Sequence, residues 1–126
     1  MSVQAQNQNA ASRGYLEPNT VVVRKNGTMR IGQDLLGDFA GKKNLGFAMF
    51  LKGDVLELCP MYNAGYSAKY PGKNSLSPIV SILMFYRQCR AKPPKSGTYQ
   101  AYMNITDNSS IVISIDFGQR QNRSER

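Results

Sequence analysis

Hydrophobic and polar positions fall into short runs separated by turn residues, and their period changes along the chain. Residues 20–24 (TVVVR) form a β-branched run, and Met29-Arg30-Ile31 returns after Lys25-Asn26-Gly27-Thr28. An Asn-Gly pair favours a tight hairpin because both residues tolerate positive φ. Residues 47–51 and 55–59 make a second pair of strands about Lys52-Gly53-Asp54, with Pro60 as the stop. A third pair, 98–106 and 111–117, flanks a turn at 107–110.

Two segments carry helical spacing. Leu35, Leu36 and Phe39 share one face within 33–39, with Gly41 behind them as a terminator and Gly37 keeping the helix short. Ser77-Pro78, an N-cap followed by proline, opens a run in which Ile79, Ile82, Leu83 and Tyr86 recur at i, i+3, i+4 and i+7; Lys92-Pro93-Pro94 closes it. A strand over 79–86 fits the same short apolar run. Residues 60–77 read as irregular, rich in Gly, Pro, Asn and Ser, with Tyr62, Tyr66 and Tyr70 among them. Such a length without structure marks either a functional loop or an unrecognised element. The pattern predicts an α+β domain: mainly antiparallel sheet of about six short strands in three hairpins, with two short helices. Residues 1–14 read as a flexible N-terminal arm, 15–118 as one domain and 119–126 as a basic C-terminal tail.

Charge turns this outline towards a partner. The chain has 126 residues, 16 Lys and Arg, 8 Asp and Glu, no His and a net charge of +8. Between residues 15 and 57 six basic residues face five acidic ones, whereas 58–106 holds no acid and six cations: Lys69, Lys73, Arg87, Arg90, Lys92 and Lys95. Arg120, Arg123 and Arg126 follow in the tail. A solubilising surface mixes both signs, so a segregated positive field points to a polyanion. Tyr62, Tyr66 and Tyr70 are interleaved with these cations, as in single-strand binders that stack bases on aromatic rings. Tyr99 and Tyr102, an odd spacing apart on a strand, cannot share a face, so one of them belongs to the core.

Enzyme chemistry finds little to work with. Without His the commonest general base is missing, and Cys59 and Cys89 are too few and too far apart for a zinc site or a disulfide framework. No phosphate-binding glycine pattern occurs, and Asp34 and Asp38 read as solvated. No catalytic residue, metal, cofactor or small-molecule substrate is therefore expected. The polar N-terminus lacks a signal-peptide core and the longest apolar stretch is too short for a bilayer, which predicts a cytoplasmic protein without a membrane partner.

Residues 21–39 (VVVRKNGTMRIGQDLLGDF) resemble the start of the AbrB/MazE-type swapped-hairpin DNA-binding family, and Lys52-Gly53-Asp54-Val55-Leu56-Glu57-Leu58 is similar to the Gly-Asp turn and strand that follow there. The resemblance implies a strand-exchanged dimer with Arg24, Lys25 and Arg30 on DNA. It departs at Gly32, where that family favours proline, and at the extra strand-like segment 46–51. The expectation is a nucleic-acid-binding protein, for single- or double-stranded DNA, acting as a small dimeric regulator or a nonspecific single-strand binder. A virion or scaffold structural component, or an adaptor or inhibitor that binds an acidic protein surface, is the alternative. Six short strands leave open sheet edges, and symmetric pairing into a homodimer is the commonest cover for them.

Overall fold

In the computed structural model, which describes residues 19–118, the alternating runs become eight antiparallel strands. They are β1 (Thr20–Val23), β2 (Thr28–Ile31), β3 (Leu45–Lys52), β4 (Val55–Tyr62), β5 (Tyr66–Lys69), β6 (Ile79–Ser81), β7 (Gly97–Ile105) and β8 (Ile111–Asp116). The sheet closes on itself in the order β1-β2-β6-β5-β3-β4-β8-β7, with β7 pairing back onto β1. Helical structure among the described residues is limited to α1 (Leu83–Gln88) and two 3-10 turns, Gln33–Leu35 and Gly37–Phe39. The expected α+β domain of six strands and two helices is thus corrected to a closed all-antiparallel barrel. The arm at 1–14 and the tail at 119–126 lie outside the described residues.

The three hairpins form where turn chemistry placed them: β1 with β2, β3 with β4, β7 with β8. The differences lie between them. Gly37 sits at φ +56, a left-handed conformation that breaks 33–39 into two 3-10 turns instead of one helix. Residues 79–86 split: Ile79–Ser81 pairs with both β2 and β5, and the helix starts only at Leu83, beyond Ser77-Pro78. Pairing on both sides there outweighs the helical spacing. Pro60 does not end β4. It lies past Leu58–Ile113, the last β4–β8 pair, where β4 has β3 on one side alone and a missing N–H is tolerated. The irregular stretch then yields β5, which crosses to β3 through Gly46 and Gly65. A Cβ at Gly46 would collide with the Ala64 carbonyl and one at Gly65 with the Phe47 carbonyl, so only glycine permits the crossing.

Period-2 alternation fills the interior. Val21, Met29, Ile31, Phe47, Leu56, Leu58, Tyr99, Ala101, Ile113 and Ile115 are fully or almost fully buried, the large side chains each worth roughly 1.5–3 kcal/mol of transfer free energy. Leu35 and Leu36 of the 3-10 turns join this core. At the other end, by the β1–β2 and β3–β4 turns, α1 packs across the mouth with Ile82, Phe85 and Tyr86 inward. We call this end the helix pole. The barrel closes, so no whole strand among the described residues is left as a sheet edge of the kind expected to drive dimerisation; only strand ends, such as β4 beyond Leu58, pair on one side alone. No helix among the described residues is long and apolar enough to cross a membrane.

Candidate functional site

Four cations come to the helix pole from the far side of α1. Arg87 lies in its last turn, Arg90 just beyond it, and Lys92 and Lys95 in the connector to β7. Arg24 and Lys25 arrive from the β1–β2 turn, some sixty residues earlier in the sequence. That turn is rigid. Gly27 takes φ +86, its N–H donates to the Arg24 carbonyl at 3.1 Å, and the Asn26 side chain accepts from the Thr28 N–H (3.1 Å) and hydroxyl (2.7 Å). Asn26 works through its side chain and stays at negative φ, so the loop is a three-residue one closed by a left-handed glycine.

The turn is bolted to α1. The N–H groups of Ile82 and Leu83 donate to the Gly27 carbonyl at 2.9 and 3.3 Å, and any Cβ at Gly27 would press on Leu83. At its other end α1 closes with a Schellman motif: the Arg90 N–H donates to the Arg87 carbonyl and the Ala91 N–H to the Tyr86 carbonyl, both at 3.0 Å. The left-handed position of this motif normally belongs to glycine, yet here Arg90 holds it at φ +55. Of the other described non-glycine residues at positive φ, two are asparagines and Ser109 closes the β7–β8 loop. Arginine there costs about 1–2 kcal/mol of backbone strain.

Pro93-Pro94 forms a stiff ridge between two shallow clefts. One, of about 550 Å3, has Arg24, Lys25 and Asn26 on one bank, Pro93, Pro94 and Lys95 on the other, and Ile82 and Leu83 between. The second, of about 490 Å3, runs along the opposite flank of the ridge beside Lys92, Lys95, Tyr86, Tyr99 and Asp54. Asp54 and Asp116 are the carboxylates of this pole. The single ion pair among the described residues joins Lys52 Nζ to Glu57 Oε1 at 3.7 Å on the barrel wall, with Lys52 largely exposed. Arg24, Lys25, Arg87, Arg90, Lys92 and Lys95 therefore face solvent without a described carboxylate within salt-bridge reach. The described chain ends at Gly118, beside Asp54 on this pole.

The remaining sequence candidates separate. Arg30 faces outward on β2, in one cross-strand row with Val22, Ile79 and Lys69. Burial first, and the neighbouring Arg24 charge second, pull its pKa below the ordinary value. Its Nε is buried without a hydrogen-bond partner. Lys73 sits in the loop after β5, at the opposite pole, where Lys42 and Lys43 are balanced by Asp34, Asp38 and Asp107. Of the three loop tyrosines only Tyr66 reaches the helix pole, and it does so through its hydroxyl. Tyr62 packs against Phe39 with ring centroids 4.8 Å apart at the far end of β4. Tyr66 turns inward, meets Phe85 edge-on at 5.9 Å and donates its hydroxyl to Gln88 Oε1 at 2.6 Å. Tyr70 is half-buried beside Gly41 and Lys42, its phenol pushed up by burial. Of the β7 tyrosines, Tyr99 is core and Tyr102 is exposed.

Sequence reasoning missed the joining of the first hairpin to the 87–95 segment and the role of Pro93-Pro94 as a ridge. The lysines flanking that Pro-Pro pair were the available signal. Among the described residues no three His, Cys, Asp or Glu side chains gather to hold a metal, and both cysteines are free thiols. Comparison with known proteins finds no matching family model, curated protein or solved structure.

Proposed function

We propose that this protein binds nucleic acid at its helix pole, contacting the phosphate backbone of DNA, and that it acts as a homodimer in the cytoplasm. One observation carries the reading. Six cations from two distant chain segments meet at a hydrogen-bonded turn, a helix end and a Pro-Pro ridge, against two carboxylates, Asp54 and Asp116, neither of which makes a salt bridge to them. Phosphate contacts give affinity without sequence choice; Tyr62 and Tyr70 lie away from this surface and the Tyr66 ring is packed against Phe85, which favours backbone binding over base stacking. Arg24, Lys25 and Arg30, which the AbrB/MazE resemblance implied, and Arg87, Arg90, Lys92 and Lys95 then serve one surface that continues along the wall to Lys69. Binding in place of catalysis follows from a chain without His and with scattered carboxylates. Free Cys59 and Cys89 suit a reducing compartment.

The test is fluorescence anisotropy with a labelled duplex and a labelled single strand in graded salt. Binding is expected with a steep salt dependence. Replacing Arg24, Lys25, Arg87, Arg90, Lys92 and Lys95 by Gln should flatten the slope of log affinity against log salt by about four to five units. The same change at Lys42, Lys43 and Lys73 should leave it nearly intact. An unaltered slope in the first variant, or no binding by the native protein, would overturn the reading.

A further inference from the structure

In the outer wall made by β3, β4, β8 and β7, the β3–β4 half is unlike the outside of an ordinary antiparallel barrel. Outward positions of a solvated sheet should be polar, whereas strands apolar on both faces are those covered on both faces. On β3 and β4 the outward residues include Ala48, Phe50, Val55, Cys59 and Met61, while β8 and β7 present Val112 and Tyr102 among Ser114, Asp116, Thr98, Gln100 and Asn104. Phe50 is 51% exposed and Tyr102 63%, both large rings offered to solvent.

Register puts these rings in a symmetrical row. Tyr102 lies opposite Ser114, Ser114 opposite Glu57, and Glu57 opposite Phe50, each on the outer face. Strands about 4.8 Å apart place the two rings about 14 Å from each other, with a hydroxyl and a carboxylate between them. We propose that this wall is the face on which a second copy of the chain docks, about a two-fold axis parallel to the strands and passing between β4 and β8. That operation sets each Phe50 against the partner's Tyr102, and each Glu57 carboxylate against the partner's Ser114 hydroxyl, which can donate to it. A two-fold along the row would instead bring Glu57 against its own copy, a like-charge contact that costs stability. The row is self-complementary in the first arrangement, as an isologous contact requires. Charge also selects a second copy: in a chain of net +8, six cations lie at the helix pole and others at the far pole and on the β2–β6–β5 side, leaving this wall with Lys52, Glu57 and Asp116 as the charges of its outward rows. Two positive molecules can meet here without opposing their strongest fields.

The footprint is modest. Four strands by about six residues project to about half the ~800 Å2 per partner of a standard interface, so the dimer is reversible and separates on dilution. The inference rests on the dimeric half of the proposed function and is independent of nucleic acid.

Sedimentation equilibrium of the full chain over a wide concentration range tests it. The native protein should run between one and two copies, shifting to two as concentration rises. Phe50→Glu alone and Tyr102→Lys alone should each hold it at one copy, with the far-ultraviolet spectrum unchanged. Combining the two should restore the dimer, because each new acid faces the partner's new base. A dimer untouched by both single variants would overturn the wall while leaving the dimeric reading standing. A monomer at every concentration would overturn both. Failure of the double variant to recover would overturn the axis, and a mass growing past two copies would show a contact that does not close.

Discussion

The buried hydroxyl of Tyr99 donates a 2.7 Å hydrogen bond to the main-chain carbonyl of Lys95, tying the basic connector to the barrel core. Tyr99 also meets Phe117 edge-on at 4.7 Å, so the ring is fixed from two sides. The height and direction of the Pro-Pro ridge are thereby set by a core residue. Tyr99→Phe keeps the ring and removes the tether. We expect a loss of about 1 kcal/mol in urea unfolding, and weaker DNA binding with an unaltered salt slope, since no charge is removed.

Arg90 gives a sharper separation of fold from function. Arg90→Gly relieves the left-handed strain and should raise the unfolding midpoint by several degrees, as about 1 kcal/mol does in a domain of this size. The same change should weaken binding and reduce the salt slope by about 0.7–0.9. Arg90→Ala retains the strain and should lower affinity without the gain in stability. Calorimetry beside anisotropy reads both quantities.

Alkaline pH should act through Tyr86. Burial, aided by Cys89, Asp54 and Tyr99, pushes its phenol well above the ordinary value. The folded state thus stays protonated at a pH where the unfolded chain ionises. This contribution is intact below the unfolded value of about 10 and is lost progressively as pH rises above it, by about 1.4 kcal/mol per pH unit. Urea midpoints measured from pH 9 to 11.5 should fall more steeply for the native protein than for Tyr86→Phe.

Gly46 and Gly72 form a matched pair of probes. Gly46→Ala drives a methyl into the Ala64 carbonyl and should cost about 1–3 kcal/mol. At Gly72 an added Cβ meets nothing within 4 Å, and Gly72→Ala should stay within about 0.5 kcal/mol of the native protein. Denaturant unfolding of both variants checks the crossing of β5 over β3.

What the sequence disclosed follows the range of the interactions that encode each element. The hairpins were legible because Asn26-Gly27 and Gly53-Asp54 carry their turn instructions locally. β5 was not, and β6 was visible only as the strand alternative over 79–86, since Tyr66–Lys69 and Ile79–Ser81 become strands through partners on β3 and β2 far away in sequence. Pro60 misled because the place where β8 stops pairing with β4 cannot be seen from β4 itself. At the site, the acid-free stretch led to Arg87, Arg90, Lys92 and Lys95. It carried no sign that Arg24 and Lys25 sit across a cleft from Lys95, nor that Tyr66 turns into the core.

Barrel closure has a consequence for how the chain is made. The seam joins β1 to β7, and its end is held by Gln100, whose side chain donates to the Asn19 carbonyl across 81 positions of sequence. Until residues 97–118 have emerged from the ribosome, the sheet β1-β2-β6-β5-β3-β4 remains open along β1 and β4. Those bare edges can pair with the same edges on another nascent chain. Closing so long a loop is also intrinsically slow. The vulnerable period for this protein is therefore the interval between synthesis of β6 and synthesis of β8, and truncations that end inside it should be found in aggregates.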